Sequence, residues 1–250
     1  MRHWKDWIAP FLLVFFALLA WEGIARFIGM SFILPAPTEV AAKLWELKVI
    51  LFTVHLPATL QVIITGLMLS TLLGTGLAVW MNWSKPVEKA FYPLLIVSQT
   101  IPVIALAPIF VLWFGYTIWS KVAVTVLITF FPITVNTFDG LRSSSSQLRQ
   151  LLLTMEAGRR DIFFKLELPS SLPYFYSGLK VAVTLSVIGA AIGEWLGAQA
   201  GLGYFSRRMM TQFDGAGVFA PIVLLALVGI SLVLLVVLLE KMTLHWRKTE

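Results

Sequence analysis

Long apolar runs separated by short polar ones set the pattern of this chain. Apolar windows lie at about 10–25, 58–81, 94–115, 121–138, 178–196 and 218–239. Runs of roughly twenty apolar residues match a hydrocarbon core of ~30 Å. Lipid offers the backbone no hydrogen-bond partners, so these runs are predicted to be helices. A membrane barrel would instead show alternating segments of about ten residues. One interval breaks the pattern: Asp139–Lys180, a polar stretch that carries six of the nineteen Lys and Arg residues. It is too long for a tight turn and too short for a domain, the size of a docking element for a second protein.

Inside that stretch the pattern turns amphipathic. Leu148, Leu151, Leu152 and Met155 recur at helical spacing, while Arg149, Glu156, Arg159 and Arg160 are polar. Gly158 interrupts this helix. A second short piece is expected from Asp161, with Ile162, Phe163 and Leu166. Pro169 and Pro173 in ELPSSLP are then expected to stop the helix and turn the chain back toward the membrane. Two readings stand: an interfacial helix lying on anionic lipid, or a knob that inserts into a cytoplasmic partner.

Composition agrees with a membrane protein. The chain is 58% hydrophobic and 13% charged, against about one quarter charged in soluble domains. The expectation is an all-α, polytopic protein with about six transmembrane helices, a single transmembrane domain over 1–250. The net charge is +6, and its distribution matters more than its sum. With both termini inside, the inner segments carry Arg2, Lys5, Lys85, Lys89, Arg142, Arg149, Arg159, Arg160, Lys165, Lys180, Lys241, Arg247 and Lys248. The outer ones carry Arg26, Lys43, Lys48, Lys121, Arg207 and Arg208. That excess of cations inside supports cytoplasmic termini and a cytoplasmic 139–177 segment, with the Arg207–Arg208 pair as the main exception. The first run ends in Trp21, Glu22 and Arg26 without a small-x-small site, and reads as a retained helix.

Several polar or helix-breaking residues sit within the apolar runs. Pro102 and Pro108 fall in the third run, where each removes a backbone donor; they are either tolerated by neighbouring helices or line a pathway with freed carbonyls. Gln99, Gln61 and Asn136 are neutral groups that suit helix–helix hydrogen bonding, with Gln99 and Asn136 also pathway candidates. Glu194 is a carboxylate deep in an apolar run, which needs protein, water or a partner to face; it is a candidate gate or a structural group. Small residues cluster at Gly66, Ser70, Gly74 and Gly76, and again at Gly189, Ala190, Ala191 and Gly193; Ser70-x-x-x-Gly74 and Gly189-x-x-x-Gly193 have the spacing that lets helices approach closely. Before Thr38, Pro35 and Pro37 enforce extended backbone, and Thr38 is a candidate cap for a short helix.

Catalytic and metal chemistry find no carrier. There is no cysteine, and His3, His55 and His245 are far apart. No phosphate-binding G-x-x-x-x-G-K-[S/T] or zinc-binding H-E-x-x-H run occurs. With no energy-coupling motif of its own, a chain of this kind acting as a transporter would need its energy from elsewhere. A secondary transporter is the alternative class, but neither paired half-helices nor a charge ring is visible.

Five segments together carry a resemblance: ILPAP at 33–37, QTIPVIALAPIFVLWFG at 99–115, FFPITVNTFDGLR at 130–142, KLELPSSLPYFYSGLK at 165–180 and GEWLGAQAGLGY at 193–204. In this order and spacing the chain resembles the permease subunit of bacterial ABC importers, in the family that takes up nitrate, taurine, aliphatic sulfonates and pyrimidine thiamine precursors. The resemblance implies a MetI-like architecture in the bacterial inner membrane. It implies a second copy of the chain, two ABC ATPase subunits and an extracytoplasmic substrate-binding protein as partners, with lipid around them and no nucleic acid. No cofactor is expected on this chain; ATP and magnesium belong to the ATPase. The resemblance also implies an ATPase-coupling site over Gln150, Leu152, Met155, Glu156, Ala157, Gly158, Arg159, Leu168 and Pro169. In the family pattern a Glu stands where this chain has Gln150, an Ala where it has Leu152 and a Gly where it has Glu156. GEWLGAQAGLGYF leans the substrate toward a pyrimidine thiamine precursor, with sulfonate, taurine or nitrate as the alternative.

Overall fold

The computed structural model describes the backbone of residues 3–244, with side chains from Ile8 onward. Arg2, Arg247 and Lys248, and the side chain of Lys5, on which part of the orientation argument rests, lie outside the described residues. So do His245 and the side chain of His3. Among the described residues the secondary structure is entirely helical, in ten helices: α1 His3–Ile28, α2 Pro37–Glu46, α3 Lys48–Trp83, α4 Lys85–Ser98, α5 Val103–Phe114, α6 Ile118–Arg142, α7 Ser146–Thr154, α8 Arg159–Gly197, α9 Leu202–Thr211 and α10 Gly215–Thr243. Two of them carry a π-helical turn, Leu51–His55 in α3 and Phe163–Glu167 in α8. The protein is thus an all-α polytopic one: five helices are long and apolar enough to cross a membrane, or six if the bent pair α4–α5 counts as one span.

The pair α4–α5 does run the length of a span. Its two helices, of 14 and 12 residues, are each about 20 Å long, too short to cross alone. They meet at a 104° bend. At one end, Arg142 at the C-terminus of α6 donates two hydrogen bonds to Glu88 of α4 (2.7 and 2.6 Å). At the other, Val111 of α5 and Ser120 near the start of α6 both lie against Gly197 of α8. The chain from Glu88 to Val111 therefore travels from one end of α6 to the other. The run predicted at 94–115 is broken by its own chemistry. Gln99, Thr100 and Ile101 close α4 with tight turns onto Ile96, Val97 and Ser98, and Pro102 (ψ 111°) caps α5 without donating.

The chain folds as two compact units. One comprises residues up to Ala58 with Ala200–Ala226, the other Thr59–Gln199 with the chain from Leu227. In the first unit, α2 begins at Pro37, with Ala36 rather than Thr38 at the cap. The Ala36 N–H donates to the Glu39 carboxylate (3.0 Å), and Thr38 instead donates through Oγ1 to Glu22 (2.8 Å). A proline at the first helical position has no N–H to leave unsatisfied, so the helix starts there. Lys43 pairs with Asp214 (3.2 Å), and that hydrogen bond holds the lysine above its ordinary pKa. His55 is buried; its Nδ1 accepts from the Gly201 N–H (3.1 Å), and its ring lies against Phe205.

The second unit is built on α6 and α8, packed antiparallel. Small residues set their distance. A methyl on Gly178 would sit 2.6 Å from the Pro132 carbonyl oxygen, and one on Gly189 would sit 2.9 Å from the Thr125 Cα. Gly66 and Gly74 of α3 also pack closely on α6, at Thr125 and Thr134. Ser70 meets the Thr129 hydroxyl at 2.5 Å. The small-residue spacings are thus packing faces, as membrane helices need where apolar side chains gain little by leaving lipid. Thr125, Thr129, Thr134 and Thr137 are buried, and each donates its hydroxyl to the carbonyl four residues back on α6. Their polar groups are therefore satisfied inside the helix.

ELPSSLP does not stop the helix. The Leu168 N–H reaches back to the Phe163 carbonyl across the π turn. This shifts the hydrogen-bond ladder, so Pro169 falls in a first α-helical turn, where its missing donor costs little. Pro173 is carried inside the helix. The polar segment therefore runs straight into a membrane-length helix.

Candidate coupling site

The first part of the polar segment folds as the short helix α7. Ser145 opens it, accepting the Leu148 N–H on its hydroxyl (3.4 Å). None of its residues is buried. Leu148, Leu151 and Met155 occupy one face and are 51%, 55% and 70% exposed. Gln150 is exposed and Leu152 half-buried. Its apolar face thus has no cover from its own chain, which is the signature of a surface made for something else.

The end of α7 explains one departure from the family pattern. Glu156 has φ +57°, in the left-handed region. Its N–H donates to the Leu153 carbonyl and the Ala157 N–H to the Leu152 carbonyl (3.0 Å each), a Schellman closure that normally uses glycine. The position where the pattern has glycine is the one whose backbone asks for it. A glutamate there carries a strain of about 1 kcal/mol. Glu156→Gly is expected to slow hydrogen exchange of the Ala157 amide by roughly fivefold. Unchanged or faster exchange would refute the strain.

Beyond the turn, Gly158 caps the start of α8 in extended backbone (φ −70°, ψ 165°). Arg159 then donates to the Trp83 carbonyl at the end of α3. Leu168 and Pro169 are half-buried where α8 enters its long run. The predicted coupling residues therefore lie along one continuous path, from the exposed face of α7 through the Schellman turn to the root of α8.

Three charged or polar residues that sequence reading passed over tie this path to the spans. Glu167, at the close of the π turn, is 6% exposed. Its Oε2 accepts from Asn82 Nδ2 at the end of α3 (2.8 Å), and its Oε1 pairs with Arg149 of α7 (3.1 Å). Glu88 holds Arg142, whose guanidinium also lies over the Phe138 ring at 4.5 Å. Between them opens a cleft of about 580 Å³ with Lys85 and Arg159 on its wall. The available signal was a carboxylate between Leu166 and Leu168 directly before Pro169, an expensive place for an unpaired charge.

The pathway candidates do not gather into one place. Gln99 and Pro102 lie together at the exposed break between α4 and α5, and Pro108 lies within α5. Asn136 spends its amide on the Pro132 carbonyl of its own helix (2.7 Å) and packs against Gly178. Glu194 is 1% exposed on α8. The neighbouring Gly193 lies against the backbone of Lys121. Among the described residues no group of three or more His, Asp or Glu is placed to hold a metal.

The chain as a whole is similar to known proteins. Residues 70–244 match the family model described as the binding-protein-dependent transport system inner membrane component. The formylaminopyrimidine transport permease protein ThiX of Halalkalibacterium halodurans is 57% identical over 250 residues, covering all of both chains. The riboflavin transport system permease protein RibX of Chloroflexus aurantiacus is 34% identical over 92% of this chain and 86% of its own. The putative aliphatic sulfonates transport permease protein SsuC of Bacillus subtilis is 30% identical over 99% of this chain and 91% of its own. Matches of this extent and order mark a transport subunit rather than a catalytic domain. The chain belongs to the family of inner membrane components of binding-protein-dependent transport systems, as the multi-pass permease subunit of an ABC importer.

Proposed function

We propose that this permease moves a formylaminopyrimidine-type solute, a pyrimidine thiamine precursor, and that two copies of it form the pathway. An extracytoplasmic binding protein delivers the solute, and two ATPase subunits dock on the cytoplasmic side through α7. The observation that carries the docking is the uncovered apolar face of α7, with Leu148, Leu151 and Met155 exposed at the end of the path into α8. Gln150, Leu152, Met155, Glu156, Ala157, Gly158, Arg159, Leu168 and Pro169 form that path. In this reading both termini and the 139–177 segment are cytoplasmic, supported by the cation distribution, and the chain is one transmembrane domain.

The geometry supports the following cycle. ATP-driven closure of the ATPase pair displaces α7. Because α8 continues unbroken from Arg159 to Gly197, the displacement enters the span directly and tilts it against α6. The bend at Gln99–Pro102 lets α4 and α5 move separately, exposing freed backbone to the pathway. Pro108, Asn136 and Glu194 are further pathway or gate positions on the helices that move. This chain supplies the path and its motion; the partner supplies ATP hydrolysis.

The substrate assignment rests on the full-length 57% likeness to the ThiX relative. The test is uptake into proteoliposomes that hold this permease with its ATPase and binding protein. Radiolabelled formylaminopyrimidine is expected to accumulate only with ATP inside. Competition by taurine, an alkanesulfonate or nitrate, and not by excess formylaminopyrimidine, would overturn the substrate. Accumulation with the permease alone and no ATP would overturn the mechanism.

A further inference from the structure

We propose that Glu167 is a positioning residue for energy coupling: its buried carboxylate clamps α7 to the end of α3, so that one displacement of α7 moves α3 and α8 together. The inference rests on the docking role of α7.

Without such a clamp, α7 would be connected to the spans only by its flanking chain, since it buries no residue of its own. Glu167 supplies the connection with both of its oxygens. One accepts from Asn82 at the last turn of α3 (2.8 Å), the other pairs with Arg149 at the end of the first turn of α7 (3.1 Å). Glu167 itself belongs to α8, two residues before Pro169. Three elements therefore meet on one side chain. Arg159 adds a parallel tether from the start of α8 to the Trp83 carbonyl.

A buried carboxylate is a poor choice for stability alone, because well-packed apolar residues commonly do as well or better. What an ion pair and a hydrogen bond add is register, since each is satisfied only at one placement of its partners. The π turn at Phe163–Glu167 is what aims this side chain. It inserts one residue before the long α segment and turns Glu167 inward, where it is 6% exposed, while Phe164 and Lys165 stay outside. Unusual helical turns of this kind often occur at functional positions. Arg149 is half-exposed, so the clamp can open from the side on which the ATPase docks.

The experiment uses the assembled transporter in proteoliposomes and measures three quantities: ATPase subunits retained, ATP hydrolysed and solute taken up. Glu167→Gln keeps the side-chain shape and an acceptor for Asn82, but loses the ion pair. It is expected to retain the ATPase subunits while lowering uptake per ATP by about tenfold. Arg149→Met is expected to lower the same ratio by a similar factor, and Arg149→Lys to restore most of it. The double variant, Glu167→Gln with Arg149→Met, is expected to lose no more than either single change, as for two halves of one interaction. Uptake per ATP at the unaltered level in both Glu167→Gln and Arg149→Met would overturn the clamp. So would multiplied losses in the double variant. Because Arg149 is exposed, Arg149→Met tests the clamp even if Glu167→Gln fails to fold. Loss of ATPase subunits on changing the α7 apolar face tests the docking itself, and is read separately by retention.

Discussion

Gly178→Leu is expected to leave almost no folded permease in the membrane. Gly178 lies on α8 where the helix passes close to α6. Even a methyl there would stand 2.6 Å from the Pro132 carbonyl oxygen and 2.8 Å from the Asn136 Cβ. The first of these is backbone, which cannot rotate aside. A modest overpacking costs roughly 1–3 kcal/mol, and a four-carbon side chain against backbone exceeds that. Set against a total stability of about 5–15 kcal/mol, the α6–α8 pair would separate, and with it the scaffold that holds the coupling path. The measure is the monodisperse fraction after detergent extraction. Gly178→Ala is expected to fall between Gly178→Leu and the unaltered chain. Gly76→Leu serves as control, because nothing lies within 4 Å of the added carbon. Normal yield of Gly178→Leu would mean that the close α6–α8 approach is not what holds the unit together.

The second large effect is on assembly. Leu151→Asp combined with Met155→Asp is expected to strip the ATPase subunits from the complex and reduce uptake to background. Both side chains are mostly exposed, at 55% and 70%, so the chain itself is expected to fold and insert as before. If each fills a pocket on the partner, its loss costs about 2 kcal/mol or more, enough together to take a tight complex out of its working range. Co-purification measures retention, and the same sample in liposomes measures uptake. Retained subunits with full uptake would remove α7 from the docking role. They would favour the other reading of this amphipathic helix, a face laid on lipid.

The fold class was legible because lipid permits few solutions. Continuous apolar runs must close their own hydrogen bonds, which fixes helices, and small residues at four-residue spacing mark where they touch. Gly66, Ser70, Gly74, Gly189 and Gly193 do lie at such contacts. The coupling path was legible in part. The apolar repeat from Leu148 to Met155 marked α7, and the motif resemblance marked its neighbourhood. Glu167 was passed over because its partners, Asn82 and Arg149, are 85 and 18 positions away. No local pattern joins residues so far apart. The prolines of ELPSSLP misled because a five-residue π turn, ending two residues before Pro169, had already shifted the ladder. Such a turn has no periodicity of its own to read.

Glu156 draws the line between the two kinds of knowledge. The sequence by itself set an amphipathic helix from Leu148 interrupted at Gly158, and the resemblance set an unusual residue where the family pattern has glycine; the helix in fact ends at Thr154, and Gly158 opens the next one. Only the tertiary structure showed that Glu156 takes φ +57° to close the helix, and that the exposed face before it leads into a span through a carboxylate shared by three helices. Local hydrogen bonding and the apolar effect act within a few residues or on whole runs, and so leave their marks in sequence. Register between helices is decided by close contacts and buried charges that exist only once the chain has packed.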